Sequence, residues 1–496
     1  MSSSLFYGLE IARRGIYASQ TAFNVIGHNV SNADTKGYTR QRVLTESIVP
    51  SNSATRFLPV AGDNVGGGVN VVRIDQMRDA FLDREFRREN ADMGKWEMLT
   101  EQMGYIESIL NETGDSGVSA ILTEFFKSLS KLSQNPTSGE QRTVVQQNAI
   151  NLTEAFNHYA NQLTQSQSTY NDNVKATVDG VNSILENIAT FNRQIFTYEL
   201  SGNAANDLRD KRNLLLDELS SIIEIEYHED ASGRLIITSQ GDELVNHTTA
   251  NTLETTVNAT TGFYDISYEA SGDPFVFASG ELSAYVRLRD GATAEDMGIP
   301  FILNNLDTLA RSLAREFNAI NSIGYTMPDG SNPSVTGVNF FDVPAGGYGD
   351  ITAANFALSA ELLASVNNIA CSSVEIDPTS TDTSSQTGNN TRVLEMLALL
   401  DSKSLTDVGS FEGFLNSMIG RVAIESANCE TRYEGQLSVA QNLETRRQSI
   451  SSVSIDEEMI NMIKTQHAYA AASRVITAVD DALDVLINKT GIVGRG

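Results

Sequence analysis

The chain has 496 residues, 41% of them hydrophobic, enough for two to four packed domains and too many for one ordinary core. Its formal net charge of −28 repels nucleic acid and anionic membrane surfaces. Cys371 and Cys429 are the only cysteines and the five histidines never fall at ligand spacing, which excludes a disulfide framework and a zinc site.

No run approaches the roughly 18 apolar residues that a membrane span requires. Near the start, Glu10, Arg13 and Arg14 interrupt the stretch where the apolar core of a cleaved signal peptide would lie. From Leu5 the apolar residues instead step by four and three, through Leu9, Ala12 and Ile16 to Phe23, Ile26 and Val30, with Ser19 the polar member. This is a heptad seam over about 39 Å of helix. Ser31, Asn32, Asp34 and Gly37 supply turn chemistry after it, and Gly37 is expected at positive φ. Extended segments are predicted over 38–49 and from Val69, with Gly66-Gly67-Gly68 as a turn. A nucleotide loop is excluded there, because no helix opening with Lys and Ser or Thr follows.

A long helix is predicted from Asp75, with Trp96, Leu99, Met103, Ile106 and Leu110 on its seam. Further helices are predicted over 118–133, 140–200 with a break or two, and 207–222. Strands are predicted at Ile222–Tyr227, Leu235–Thr238, Phe263–Tyr268 and Phe275–Phe277. Pro300–Ile323 reads as helix, Thr379–Thr391 as a polar loop, and Phe411, Leu415, Met418, Val422, Cys429, Gln436, Val439, Leu443 and Ile450 trace another long helix. Ser454 with Glu457 spells a capping box, and Asp456, Glu457 and Glu458 place three anions where a helix dipole favours them. The stripe behind it runs Ile455, Met459, Met462, Gln466, Tyr469, Ser473, Ile476, Val479, Leu483 and Leu486, ending near Lys489 and Gly491.

The first and last helices therefore carry seams of similar length and opposite charge. Residues 1–42 hold Arg13, Arg14, Lys36, Arg40 and Arg42 against Glu10 and Asp34; residues 456–489 hold six carboxylates against Lys464, Arg474 and Lys489. The two are expected to pair, within a subunit or between neighbours, with charge selecting the partner.

Asn29-Val30-Ser31-Asn32-Ala33-Asp34-Thr35-Lys36-Gly37-Tyr38-Thr39-Arg40-Gln41 resembles the N-terminal signature of the flagellar rod, hook and hook-associated proteins, with His28 where that family more often has Asn. Asn29, Asn32, Thr35, Gly37, Tyr38 and Arg40 are the signature positions. The run from Asp456 through Met459, Met462, Tyr469 and Ile476 to Leu483 and Leu486 is similar to the family's C-terminal segment. Within the family, the hook-associated members are the ones resembled by Val69–Ile74 with Arg78–Leu82, by Leu122–Leu129 with Asn135-Pro136, and by Asp207–Leu215.

The predicted elements together make a mainly α fold, a helical bundle drawn from both halves of the chain with an inserted β-rich region. Residues 1–40 and 455–496 would form a terminal coiled coil, 41–221, 300–324 and 391–454 a helical bundle, and 222–299 and 325–390 a β-rich outer region. The resemblance implies a non-enzymatic flagellar subunit at the hook–filament junction, exported without a cleaved signal peptide, with a hook or distal rod subunit as the alternative. The implied partners are other copies of the chain in a ring or helix, the hook subunit, a second junction protein or filament subunit, and an export chaperone on the C-terminal helix. No cofactor, metal, nucleic acid or membrane span is implied.

Chemistry-bearing strings have plainer readings. Gly114-Asp115-Ser116-Gly117 matches the surroundings of a serine-protease nucleophile, but it lies between predicted helices with no suitable His, and reads as a turn. Asp377 to Asp382 lacks the Gly and final Glu of a calcium loop.

Overall fold

The computed structural model describes residues 2–48, 66–110, 117–202, 204–230, 233–328, 333–379, 386–401 and 409–489, with side chains given from residue 6 onward and through 488. Gly114 to Ser116, the 380–385 part of the polar loop including Asp382, Gly491, and the side chains of Leu5 and Lys489 lie outside the described residues.

Helix α1 (Ser2–Ser31) leads into an antiparallel pair of strands, β1 (Gln41–Ser47) and β2 (Val69–Gln76). Strand β2 runs to Gln76, so α2 (Ala80–Leu110) starts later than the Asp75 expected from sequence. Asp79 caps it, its Oδ1 accepting from Phe81 N at 2.9 Å. The predicted seam is real: Leu99, Met103, Ile106 and Leu110 are buried and Trp96 packs on the same cluster.

After α3 (Val118–Gln134), α4 (Gly139–Glu199) runs unbroken for 61 residues, about 92 Å at 1.5 Å per residue. The breaks expected over 140–200 are absent because the segment holds no proline, and its interior glycine, Gly180, costs a helix only about 1 kcal/mol. A tight turn reverses the chain into α5 (Asn206–Ile222).

The inserted β structure follows. Strands β3 (Glu226–Glu229), β4 (Leu235–Ser239), β5 (Asp242–Asn246) and β6 (Thr249–Ala250) form an antiparallel sheet in chain order, and β7 (Leu253–Val257) pairs with β8 (Tyr264–Tyr268). Phe275–Phe277 is not a strand. Pro274 has no N–H to give a ladder, a single bond joins Phe275 N to Ile266 O at 2.9 Å, and the Phe275 ring packs 5.4 Å from Tyr268. Sequence reading also missed β5, β6 and β7, and the short helix α6 (Glu281–Asp290).

Helix α7 (Ile299–Asn321) lays Leu306, Leu309, Leu313 and Phe317 into the core, where Phe125, Phe126, Phe317, Phe340 and Phe341 stack with neighbouring centroids 5.0–6.0 Å apart. Residues 325–390, expected to be β-rich, hold no strand among those described. They carry isolated bridges such as Phe341 to Leu358, two single 3₁₀ turns and α8 (Ala360–Ala364). Helix-borne asparagines satisfy this backbone where a ladder would. Asn318 Oδ1 accepts from Phe340 N and Phe341 N at 2.7 and 2.8 Å, Asn321 Oδ1 accepts from Ala370 N, and Asn157 Nδ2 donates to Ala353 O. In the same way Asn182 both donates to and accepts from the Leu253 backbone, fixing β7 on α4.

Past α9 (Thr391–Ala398), α10 (Phe411–Ser451) returns antiparallel along α2: Arg432 lies over Trp96, Gln436 bonds Glu89 and Arg447 reaches Asp83 and Asp217. Two segments more than 300 residues apart thus form one helical pair. Helix α11 (Ile455–Asp484) follows at once and continues into a π-helical turn at Val485–Lys489. Among the described residues no helix is long and apolar enough to cross a membrane.

Candidate assembly interface

The α1 seam lies against α11 within one subunit, antiparallel. Asn29 of α1 bonds Glu458 of α11. Fourteen residues back along α1 is Gly15, and fourteen forward along α11 is Ala472, whose Cβ stands 3.6 Å from where a Gly15 side chain would begin. Two heptads thus pass with no slippage between the helices.

On α1, Ala12 and Ile26 are buried, and Leu9, Ile16, Phe23 and Val30 are half-buried. On α11, Met462, Tyr469, Ile476 and Leu483 are half-buried. The seam serines are satisfied within their own helices: Ser19 Oγ donates to Gly15 O and Ser473 Oγ to Tyr469 O, each at 2.9 Å. Met459 and Leu486 are about half exposed, at 47% and 49%, and Gln466 also faces outward.

The first turn of α11 is rotated by a polar capture. Glu458, next to Met459, is only 2% exposed. Its Oε1 accepts from Arg40 Nε at 2.8 Å and lies 2.8 Å from Arg40 Nη2, while Oε2 accepts from Asn29 Nδ2 at 3.2 Å. Ser454 caps the helix as expected, its Oγ accepting from Glu457 N, but the Glu457 carboxylate turns to Arg40 Nη1 at 2.8 Å instead of back to the cap.

The signature residues converge on this point. Asn29 Oδ1 accepts from Tyr38 Oη at 2.8 Å and from Gln41 N at 3.0 Å, and Asn29 Nδ2 donates to Gln41 O. With its proton on Asn29, the Tyr38 hydroxyl accepts from His28 Nδ1, 3.0 Å away, which leaves His28 Nε2 facing Asp207 at 3.7 Å. Asn32 Nδ2 donates to His28 O and its Oδ1 takes the Thr35 hydroxyl, closing the turn. Gly37 sits at φ 81° against Leu214. Burial, with Asp207, Asp210 and Glu458 nearby, pushes the Tyr38 phenol well above its usual range.

Helix α5 holds this knot to the body. Asp210 accepts from Thr39 N at 3.0 Å and Gln76 Nε2 at 2.8 Å, and Gln41 Nε2 donates to Asp207. Burial pushes the Asp210 carboxyl up to about 6, against the pull of Thr39 and Arg78. Arg40 N also donates to Ser451 O at the end of α10, and Arg40 O accepts from Met77 N ahead of α2. A buried chain of charges continues inward: Arg78 grips Asp83, and Asp217 receives Arg87 at 2.7 Å and Arg447 at 2.8 Å.

The charge link joins the two segments expected, but through fewer of the bases named. Arg13 and Arg14 both bind Glu10 of their own helix, at 2.7 and 2.9 Å, and the ion pairs to α11 come from Arg40. Sequence reading counted Arg40 among the bases of the first segment and Glu458 among the acids of the last, and quoted Asp207 and Asp210 within a motif, but did not pair Arg40 with Glu458. The available signal was three consecutive carboxylates at a helix start where capping needs one.

Three family models match this chain. One, described as the helical domain of flagellar hook-associated protein FlgK, covers residues 103–341; the C-terminal segment of flagellar basal body rod proteins covers 446–489, and a flagella basal body rod protein model covers 9–39. Flagellar hook-associated protein 1 of Bacillus subtilis is 31% identical over 99% of this chain and 100% of its own length. The chain belongs to the flagellar hook-associated protein 1 family. The Escherichia coli member is 26% identical over 96% of this chain and 98% of its own. The structure of the flagellar hook junction protein FlgK from Burkholderia pseudomallei matches with a TM-score of 0.59 at 14% identity, over 75% of this chain and all of that one, which supports the shared fold. This is a family of structural flagellar proteins, and membership assigns the chain to the bacterial flagellum as an exported component that assembles with others.

Proposed function

We propose that the chain is a structural subunit that polymerises through α1 and α11, joins hook to filament, and performs no catalysis. The observation that carries this reading is the outer face of α11. Ile455, Met459, Ile460, Ile463 and Val475 are exposed on a helix whose inner face α1 already fills. Large apolar side chains left to water along such a helix mark a surface that another protein covers.

In this reading residues 1–40 and 455–496 polymerise, 41–221, 300–324 and 391–454 form the body, and 222–299 with 325–390 form the outer region. Other copies complete a ring or helix, with the hook subunit on one side and a second junction protein or filament subunit on the other. A chaperone covers the apolar C-terminal helix until export, which proceeds without a cleaved signal. The rival reading, a hook or distal rod subunit, draws support from the matches at 9–39 and 446–489, which axial proteins share; the match over 103–341 favours the junction.

Deletion of the gene is the test. Cells are expected to build hooks and to shed unpolymerised filament subunits into the medium; cells without hooks would overturn the junction reading.

A further inference from the structure

We infer that the face shared by α2, α4 and α6 seats an arginine side chain of a partner protein among Glu101, Glu281 and Tyr170, a contact separate from the terminal helix pair. Helix α6 packs against both α2 and α4. Each helix brings side chains at helical spacing to the place where they meet. Glu97, Glu101 and Tyr105 of α2 lie at i, i+4 and i+8, Glu281 and Tyr285 of α6 at i and i+4, and Tyr170 and Asn173 of α4 at i and i+3.

The cluster holds no base of its own. The charges that act on Glu281 are those of Glu97 and Glu101, both of its own sign, and none of the three carboxylates forms an ion pair among the described residues. Burial, followed by those two neighbours, pushes the Glu281 carboxyl up, against the pull of the Tyr285 hydroxyl that turns toward it. Lys95, the nearest base along α2, is engaged elsewhere: its Nζ donates to Ala278 O at 3.1 Å and its charge is answered by Asp92 and Asp296.

A second observation is independent of charge. Tyr170 is 2% exposed, and its hydroxyl has no hydrogen-bond partner among the described residues. Its ring lies beside Tyr285, with centroids 6.3 Å apart, and Glu101, Tyr105 and Tyr285 are the titratable groups around it. A buried hydroxyl left unpaired is costly, and a guest that brings N–H groups satisfies it.

Chemistry selects the guest. Among the described residues no three acidic side chains stand close enough to share one metal ion. A guanidinium instead presents five N–H donors in one plane, enough to join two carboxylates and a phenol, and its face stacks on an aromatic ring. Tyr105, 53% exposed and one turn beyond Glu101, offers that ring. Copies of a chain with net charge −28 repel one another, so the arginine comes from a different protein with a basic surface.

Two measurements on the full chain test this. Ligand-observed NMR with N-acetyl-arginine amide is expected to show binding that the double substitution Glu101→Gln, Glu281→Gln weakens at least about tenfold, and N-acetyl-glutamine amide is expected not to bind. Tyr170→Phe removes only the unpaired hydroxyl, and is expected to weaken binding while leaving the melting curve in place. Absence of arginine-amide binding, or equal binding by the double variant, would overturn the site. For the partner, the photo-crosslinking residue p-benzoylphenylalanine replaces Tyr105 and isolated flagella are irradiated. The expected adduct joins this position to an arginine-containing peptide of another protein, and is lost when Glu101→Gln and Glu281→Gln are added. The crosslinking variant present in flagella but giving no adduct, or adducts with its own chain alone, would overturn the docked partner, and neither result bears on polymerisation through α1 and α11.

Discussion

Glu458 keeps its place in a nearly dry site because Arg40 and Asn29 between them engage both of its carboxylate oxygens. Removing one partner of such a pair leaves an uncompensated buried charge, which costs about 3–5 kcal/mol. Arg40→Ala is therefore expected to lower the stability of the α1–α11 pair by roughly that amount, read as loss of helical signal in thermal melts. Asp210 works in the opposite sense. Its folded pKa of about 6 lies above the usual aspartate value of about 3.9, so ionisation is penalised in the fold, and the penalty lifts as pH falls from about 6 toward 4. Asp210→Asn is expected to gain on the unmodified chain at pH 7.5 relative to pH 5, in paired melting curves; an unchanged difference would rule out a titrating Asp210. At this scale the sequence was legible where a residue acts through its backbone, as Gly37 does. Where the partner lies hundreds of positions away, as for Glu458, opposite charge named the segment that holds it but not the residue, Arg40.

Helices meet through glycine in two places, with opposite consequences. At Gly15 an added Cβ would stand 3.6 Å from Ala472, an ordinary contact, so Gly15→Ala is expected to stabilise the pair by about 0.5–1 kcal/mol through lower backbone entropy in the unfolded chain. At Gly94 an added Cβ would lie 2.2 Å from Ser221 O, a backbone atom that moves only with the end of α5. Gly94→Ala is expected to cost about 1–3 kcal/mol as overpacking, and comparing denaturant midpoints of the two variants separates the cases. Helix periodicity was readable for α1, α2, α7 and the first half of α10, which bury apolar residues at helical spacing; of the α11 stripe only Met462, Tyr469, Ile476, Val479 and Leu483 turn inward with Ser473, and Val439 of the α10 stripe is exposed. The 325–390 segment was not readable, because its order comes from Asn318, Asn321 and Asn157 on helices elsewhere in the chain. Nothing in the segment's own residues announces them. A polar side chain within a helix's apolar face is the trace such stitching leaves, and Asn318 and Asn321 are both buried in α7.

Across the whole molecule, the α1–α11 pair is held to the body by the Asn29–Arg40–Glu458 knot and its bonds to α5. A chain lacking residues 455–489 is expected to leave α1 without its helical partner, tied to the body only at its C-terminal end through Asn29, Tyr38 and Gln41 and where β2 passes it. An isolated helix of that length is marginal in water, so limited proteolysis followed by mass spectrometry should find cuts within residues 2–31 while the α2–α10 pair resists. Equal protection of α1 in the truncated chain would show that the body alone holds it.

The antiparallel pairing also fixes an order of events. Asn29 and Glu458 are 429 positions apart, so α1 leaves the ribosome long before the helix that completes it exists. Closing so long a loop is slow, although its entropic cost grows only with the logarithm of length. The Asp83–Arg447 contact of α2 with α10 brings the two ends of that loop close before the pair must meet. Helix α1 is thus expected to settle against its helical partner only after α11 has been made.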